Sequence, residues 1–461
     1  MNEWEYRSGR ILRAGILVAM IAGMLCARVA SAQQAIVPAP PMNDSAILVS
    51  QANLAFAVDL YKQAARDNPG VGSNLVLSPF SVTSALSMSA GGARGRTAEQ
   101  INFALYFSDA MRGMQAPSDL SGAKPGMSTI HAVLQQFTTM MTAPPREPST
   151  RPTTAPYTLC VSNGLWVQQG YPLEQEYVRA LEKYYGVDRV NPLDFQSRSE
   201  PSRQLLNLAI AAQTRQKITE FLPAGAISSN TRMLLTAATY FKGSWIDAFN
   251  RDNTSKRIFR QDSTHDLPAM LMHAASLDLP YFENDQVQGI ALPYSGGAGG
   301  QDMCMIVLLP RRVDGLPSLE AGLLARRIDE WCRSMIVSKV ELYFPRFKVT
   351  TRLDLTRTLA TLGIRDAFST ENADFTGISP ASSADRLCLG AVLHQSCVEV
   401  DEQGSEAAGS AAVVGGGFGG STSIREARPI PFRADHPFIF MIYHNPTGTI
   451  LFMGRVSNPT S

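Results

Sequence analysis

Apolar positions along this chain recur with two different periods, and each change of period marks an element. From Ile47 to Arg66 the spacing is helical, with Leu54, Val58, Tyr61 and Ala65 on one face. After a short strand-like run in "NLVL", Ser78-Pro79 predicts a helix start, with serine as N-cap and proline in the first turn, and Gly91-Gly92 predicts its end. Thr97 to Gln100 has the spacing of a capping box and predicts another helix start. Further helices are expected over about 201–217 and 353–362. Strands are expected in "LLTAATYFKGSW", "IALPY", "MCMIVLLP" and "VELYFPRFKV". Two apolar runs, "FIFMIYHN" and "ILFMGRV", are joined by "PTGT" and predict a hairpin. Helices gather early, strands dominate late, and no internal repeat is visible. The fold class is therefore α+β rather than an alternating βαβ chain.

One stretch fits neither period well. "VEVDEQGSEAAGSAAVVGGGFGGSTS", Val398 to Ser423, starts like a strand, continues through tiny side chains and ends in glycines. A flexible linker is one reading, but such linkers carry more serine, proline and charge. With a period of two, Ser405, Ala407, Gly409, Ala411 and Val413 share one face, all small or apolar. Glu406, Ala408, Ser410 and Ala412 share the other. No proline interrupts the run between Val398 and Arg428. Such a segment is able to enter an existing sheet as a new strand without steric or desolvation cost from its side chains. Each added backbone hydrogen bond contributes roughly 0.5–1.5 kcal/mol, set against the entropy of ordering the loop.

Composition bounds the rest. The chain has 461 residues, 45% hydrophobic and 18% charged, which places it among globular proteins of one to three domains. Forty-one basic residues face 40 acidic ones, against a general affinity for nucleic acid or anionic lipid. At the N-terminus, Arg7, Arg10 and Arg13 precede the apolar stretch Ala14 to Ala27 and the small-residue site Ala30-Ser31-Ala32. This pattern predicts an export signal over residues 1–32 and a mature start near Gln33, with an uncleaved anchor as the alternative. Residues 33–45 read as a Pro-rich leader, and 46–461 as one domain. A further Pro-rich stretch over 142–156 reads as a surface loop. Beyond the signal, Cys160, Cys304, Cys332, Cys388 and Cys397 are scattered, with no metal spacing. Buried thiols are expected, a Cys388–Cys397 bridge being the alternative.

Catalytic signatures are absent: no GxSxG, HExxH or phosphate-binding Walker loop occurs. His131 and His444 read as ordinary surface or cap residues. His265 and His273 lie eight apart in what reads as a strand-poor stretch, and a metal or other cofactor is not expected. Gly415, Gly417 and Gly420 satisfy GxGxxG, but a dinucleotide site needs a strand before and a helix after. Here Pro429 and Pro431 forbid a long helix.

Several stretches together carry a resemblance. "NLVLSPFSVTSALSMSAGGARGRTAEQI", "YFKGSW", "LPAMLM", "YFPRFKV", "LDLTRTLATLGIRDAFS" with "ADFTGIS", "VEVDEQGSEAAGSAAVV" and "FRADHPFIFMIYHNPTGTILFMGRVSNP" resemble the serpins, over nearly the whole chain from about residue 46 to Pro459. The resemblance implies three β-sheets, about nine helices and an exposed reactive-centre loop, here about 402–431. It implies a suicide-substrate protease inhibitor, not an enzyme: the protease acylates the loop, which inserts into the central sheet and drags the enzyme with it. By position, Glu402, Gln403, Gly404 and Ser405 match the family's proximal hinge, and Ala407, Ala408, Gly409 and Ser410 its small-residue run. Ser78, Ser81 and His394 match the polar cluster that gates sheet opening, and Trp245 the tryptophan where insertion starts. The bland readings are a helix cap for Ser78, a satisfied core histidine for His394 and plain packing for Trp245.

Three departures stand out: Ala237 where the gate usually has asparagine, and Ala209 and Gln216 where tryptophan and glycine are common. The loss of the asparagine amide predicts a weaker gate. Counting forward from the hinge glutamate places the scissile bond at Phe418-Gly419, for a chymotrypsin-like or subtilisin-like protease. Counting back from "FRADHPF" gives Arg425-Glu426, for a trypsin-like one. The first is preferred, because insertion constrains the hinge-side length. The partner expected is thus a serine protease, with cysteine proteases a further candidate; the protein is expected to be monomeric and secreted, or periplasmic. A non-inhibitory member of the same fold is the alternative, disfavoured by the small hinge residues. The signal, the scattered cysteines and the alanine-rich style point to a bacterial source.

Overall fold

The computed structural model describes residues 42–69, 72–114, 126–142, 157–186, 190–296, 302–380, 386–403 and 428–460. Ten α-helices occur among the described residues: α1 Asp44–Asp67, α2 Pro79–Gly92, α3 Gly95–Ala104, α4 Phe107–Gly113, α5 Met127–Thr142, α6 Gln175–Tyr185, α7 Ser199–Gln213, α8 Leu316–Gly322, α9 Ala325–Ser334 and α10 Thr356–Thr361. The strands are β1 Leu75–Leu77, β2 Thr158–Gln168, β3 Val190–Leu193, β4 Met233–Lys242, β5 Ser255–Arg260, β6 Asp266–Glu283, β7 Val287–Pro293, β8 Met303–Pro310, β9 Ile336–Pro345, β10 Phe347–Asp354, β11 Leu389–Val400, β12 Ile430–Arg433, β13 Phe438–His444 and β14 Thr449–Val456. The α+β class holds.

The five-stranded sheet runs β10-β11-β4-β2-β3. Its central pair is parallel: β11 runs beside β4 from Leu389/Met233 to Glu399/Lys242. The other sheet has nine strands, in the order β1-β14-β13-β8-β7-β6-β9-β12, with β5 on β6. Two of the three expected sheets share β6, so they form one ladder. This 18-residue strand pairs with β7 at one end and with β5 and β9 along the rest, shifting register between Ala274 and Leu277. The hairpin β13–β14 forms as expected.

Alternation explains the layers. In β4, Leu235, Ala237 and Phe241 enter the main core, whereas Leu234 and Ala238 enter a second cluster. That second cluster sits with Leu206 and Ile210 of α7, so β4 is covered on both faces. In β11, Val392 and Val398 share the main-core face with the buried polar pair His394 and Ser396.

Several boundaries differ from expectation. Arg94 precedes α3 rather than a serine or threonine, and Thr97 lies inside the helix, its hydroxyl accepting the Asp374 N–H. The helix expected over 201–217 ends at Gln213 because Arg215 and Gln216 have φ of 50° and 60°. Gln216, where the family favours glycine, thus occupies the left-handed region that suits glycine. "VELYFPRFKV" is two strands with Arg346 at the corner. The stretch expected to be strand-poor holds β6: His273 lies within it and hydrogen-bonds Glu341, while His265 just precedes it and bonds Asp262. His131 and His444 are buried at 5% and 0% exposure, not surface residues, because α5 and β13 turn them inward. All five described cysteines are free thiols, four of them buried and Cys332 half-buried. Cys388 sits just before β11 and Cys397 lies well along that extended strand, about 30 Å away, far beyond disulfide reach.

Gly454 shows how closely the β1–β14 edge is packed: an added Cβ would meet the Leu75 carbonyl oxygen at 2.4 Å and the Phe440 ring at 2.8 Å. Gly454→Ala is expected to lower stability by about 1–3 kcal/mol, since a backbone atom cannot turn aside as a side chain would. Urea unfolding followed by tryptophan fluorescence measures it; an unchanged midpoint would contradict this packing.

Candidate functional site

The parallel pair β4–β11 is held at two places, one near its middle and one at its upper end. The middle clasp begins with sequence that stops β1 and starts α2. Ser78 is the N-cap, its hydroxyl accepting the Ser81 N–H at 3.3 Å, and Pro79 follows it. This puts the first turn of α2 under β11, where the Ser78 N–H donates to His394 Nε2 at 3.0 Å. The Ser396 hydroxyl reaches the same nitrogen at 2.8 Å, and Nδ1 of His394 lies 2.7 Å from the Ala237 carbonyl oxygen on β4.

These partners assign the tautomer. A nitrogen that accepts a backbone N–H carries no proton, so Nε2 is bare and Nδ1–H donates across to β4. The ring is fully buried, and burial pushes its pKa down to about 4 despite the Ala237 carbonyl, which acts in the opposite direction. Ser81 completes the cluster by donating its hydroxyl to Asn163 of β2 at 2.5 Å. Asn163 escaped notice in the sequence, where "VSNGLW" reads only as strand. Its amide faces the serine that position 237 cannot serve, and the main-chain oxygen of Ala237 takes the histidine. The cluster around Ala237 is thus bonded through the Asn163 side chain and the Ala237 main chain.

The upper clasp ends β11. Trp245 is buried and stacks on Tyr294 with centroids 4.3 Å apart. Its indole N–H donates to the Asp401 carbonyl at 2.9 Å and its main-chain N–H to the Gln403 carbonyl at 3.2 Å. The Phe249 N–H takes the Glu402 carbonyl at 2.9 Å. The Glu402 carboxylate, 2% exposed, accepts the Thr254 hydroxyl at 2.5 Å and pairs with Arg346 at the β9–β10 corner. Burial alone would raise this carboxyl, but the Thr254 and Arg346 bonds outweigh it and hold it below the ordinary glutamate value. Lys242 bridges Glu399 and Asp401, both at 3.0 Å. Arg346 and Thr254 were not singled out in the sequence; only the tertiary fold brings them to Glu402.

Thus Ser78, Ser81 and His394 form one network, and Trp245, Glu402 and Gln403 another. Gly404, Ser405, Ala407, Ala408, Gly409, Ser410, the bait pairs Phe418-Gly419 and Arg425-Glu426, and Gly415, Gly417 and Gly420 lie outside the described residues. The same is true of the expected signal and leader up to residue 41 and of residues 143–156. Among the described residues no cluster of three or more metal-ligating side chains occurs, and no helix is long and apolar enough to cross a membrane.

The family model for Serpin (serine protease inhibitor) matches residues 51–459. The chain is a serpin. It is similar to human Serpin B3, 36% identical over 420 residues, covering 89% of this chain and 99% of that protein. Leukocyte elastase inhibitor of horse (Equus caballus) is 32% identical over 419 residues, covering 89% and 99%. Uncleaved ovalbumin has the same fold, with a TM-score of 0.73, 29% identity and coverage of 89% of this serpin and 100% of that chain.

The middle clasp predicts a pH response. An unfolded histidine takes up its proton near pH 6.5, and His394 in the fold only near 4. Its contribution is therefore complete above about pH 6.5 and is lost as pH falls toward 4, on the order of 3 kcal/mol in all. His131 and His444, lowered by burial to about 4 and about 3, add to the same slope. Urea midpoints measured from neutral pH down to about pH 5 should fall steadily, and His394→Gln should remove roughly one proton's share, about 1.4 kcal/mol per pH unit. An identical slope in the variant would contradict a neutral His394.

Proposed function

We propose that this serpin inhibits serine proteases as a suicide substrate, its reactive-centre loop closing into the five-stranded sheet after acylation. The observation that carries the proposal is the parallel β4–β11 pair at the sheet centre, whose β11 leads at Gln403 into the small-residue segment. A strand that turns back after β11 runs antiparallel to it, and therefore antiparallel to β4 as well. One parallel ladder is exchanged for two antiparallel ones, which are at least as strong per residue. Ser405, Ala407, Gly409 and Ala411 offer no bulk to resist entry. A 14-residue insertion at about 3.3 Å per residue moves the tethered end by roughly 45 Å.

Phe418 is the preferred bait, so a chymotrypsin-like or subtilisin-like enzyme is the proposed target; with Arg425 as bait the target is trypsin-like. The names of the relatives, an elastase inhibitor among them, agree with the inhibitory reading. Export through the N-terminal signal is part of the same proposal, supported by Arg7, Arg10, Arg13 and the Ala30-Ser31-Ala32 site.

Incubation with chymotrypsin, subtilisin and trypsin tests the proposal. An SDS-stable complex is expected, and sequencing the released C-terminal peptide names the scissile bond. Ser405→Arg should fold normally yet be cleaved without trapping, with complex yield down about ten-fold or more, because a long cation would have to enter the sheet. Undiminished trapping by that variant would overturn the mechanism.

A further inference from the structure

At the end of α2 away from the middle clasp, residues of α2, α5 and α6 surround a cavity of about 460 Å³. Its walls are apolar and aromatic, with Met127, Leu181 and the rings of Tyr177 and Tyr184. The Tyr177 hydroxyl is turned away and donates to the Met88 carbonyl at 2.8 Å. Arg94 on the rim is engaged as well, donating to the carbonyls of Gly91 at 3.3 Å and Ala93 at 2.8 Å. The polar group left facing the cavity is His131, 5% exposed, whose ring stacks on Tyr184 with centroids 5.6 Å apart.

The partners of His131 assign its tautomer. Nδ1 lies 2.6 Å from the Tyr185 hydroxyl. The Ser87 hydroxyl gives its one hydrogen to the Thr83 carbonyl at 2.7 Å, so the bond between Tyr185 and Ser87 uses the tyrosine's hydrogen. Tyr185 then accepts from the imidazole, which places the proton on Nδ1 and leaves Nε2 a bare acceptor. Nε2 points toward Gly91, where an added Cβ would stand 3.1 Å from it. Among the described residues no group donates to it. Burial lowers the ring's pKa to about 4, so it is neutral at ordinary pH.

A buried acceptor among aromatic walls orients a ligand by one directional bond. Charge narrows the choice. A carboxylate would set its lone pairs against Nε2, and Glu174 and Glu176, exposed at the mouth, repel it. An ammonium needs a counter-charge when desolvated, and both lining carboxylates are at the mouth rather than beside His131. A neutral aromatic hydroxyl meets both conditions: its O–H donates to Nε2 and its ring packs on tyrosine. The volume suits one or two fused rings.

We propose that this cavity is a binding site for a small neutral phenol, whose hydroxyl donates to His131 Nε2 and whose rings lie against Tyr177 and Tyr184. The inference does not depend on protease trapping. Calorimetric titration with 2-naphthol tests it, against 2-methoxynaphthalene, which keeps the rings but lacks the donor, and 2-naphthoate, an anion at neutral pH. Wild type should bind one equivalent of 2-naphthol and melt higher as its concentration rises. The methyl ether should bind about ten-fold more weakly or worse, and the naphthoate more weakly still. His131→Phe should bind the naphthol and its ether alike. Ala180→Trp, which fills the cavity from α6, should abolish binding of both.

Absence of 2-naphthol binding by wild type, equal affinity for the naphthol and its ether, tighter binding of the naphthoate, or undiminished binding by Ala180→Trp would each overturn the proposal. Should His131→Phe fail to fold, the ligand series and Ala180→Trp still decide it.

Discussion

The parallel ladder between β4 and β11 is the constraint on which the rest of this serpin turns. Both strands are buried, and they lie in the middle of a sheet rather than at its edge. A parallel pair of neighbours with no strand between them leaves an antiparallel alternative open, provided a suitable segment follows β11. The small-residue run after Gln403 is such a segment by its composition. On the proposed mechanism the described arrangement is one of two packings of the same chain, and the firmness of the clasps decides between them.

Both clasps are built from buried polar groups. At the middle, a neutral histidine links three elements, α2, β11 and β4, through directional bonds. At the top, a nearly inaccessible glutamate is held by an arginine and a threonine, and Trp245 donates to the carbonyls of Asp401 and Gln403 beyond β11. Such contacts contribute modestly while made and cost heavily when half-broken, because a desolvated partner is left behind. They resist small excursions yet release completely once water or another strand supplies the missing partners. That all-or-none character suits the proposed mechanism, in which the pair stays closed until the loop is cut.

Much of this was legible in the sequence. The Ser78-Pro79 start of α2, the β13–β14 hairpin and the strand "MCMIVLLP" follow from local chemistry and were placed correctly. The histidine–serine cluster was reachable only through family resemblance, since nothing local joins residues 78 and 394. What escaped was tertiary. Asn163 and Arg346 sit in ordinary strand sequence, and their importance lies in facing Ser81 and Glu402 across the fold. The length of β6 was missed because it switches partners midway, so its burial follows no single period. His131 and His444 were misplaced because a histidine's polarity says little when a neighbouring hydroxyl, Tyr185 or Thr447, is brought to it inside the core.

Thermal melting before and after a single cut tests most directly the proposal that the segment after β11 enters the sheet between β4 and β11. The protein is nicked by a protease in the segment between Gly404 and Ala427 and both forms are heated. A nicked form that melts tens of degrees higher, with no protease attached, is the predicted result. Equal melting temperatures would mean that the segment never enters the sheet, and the account of the two clasps as a gate would be wrong.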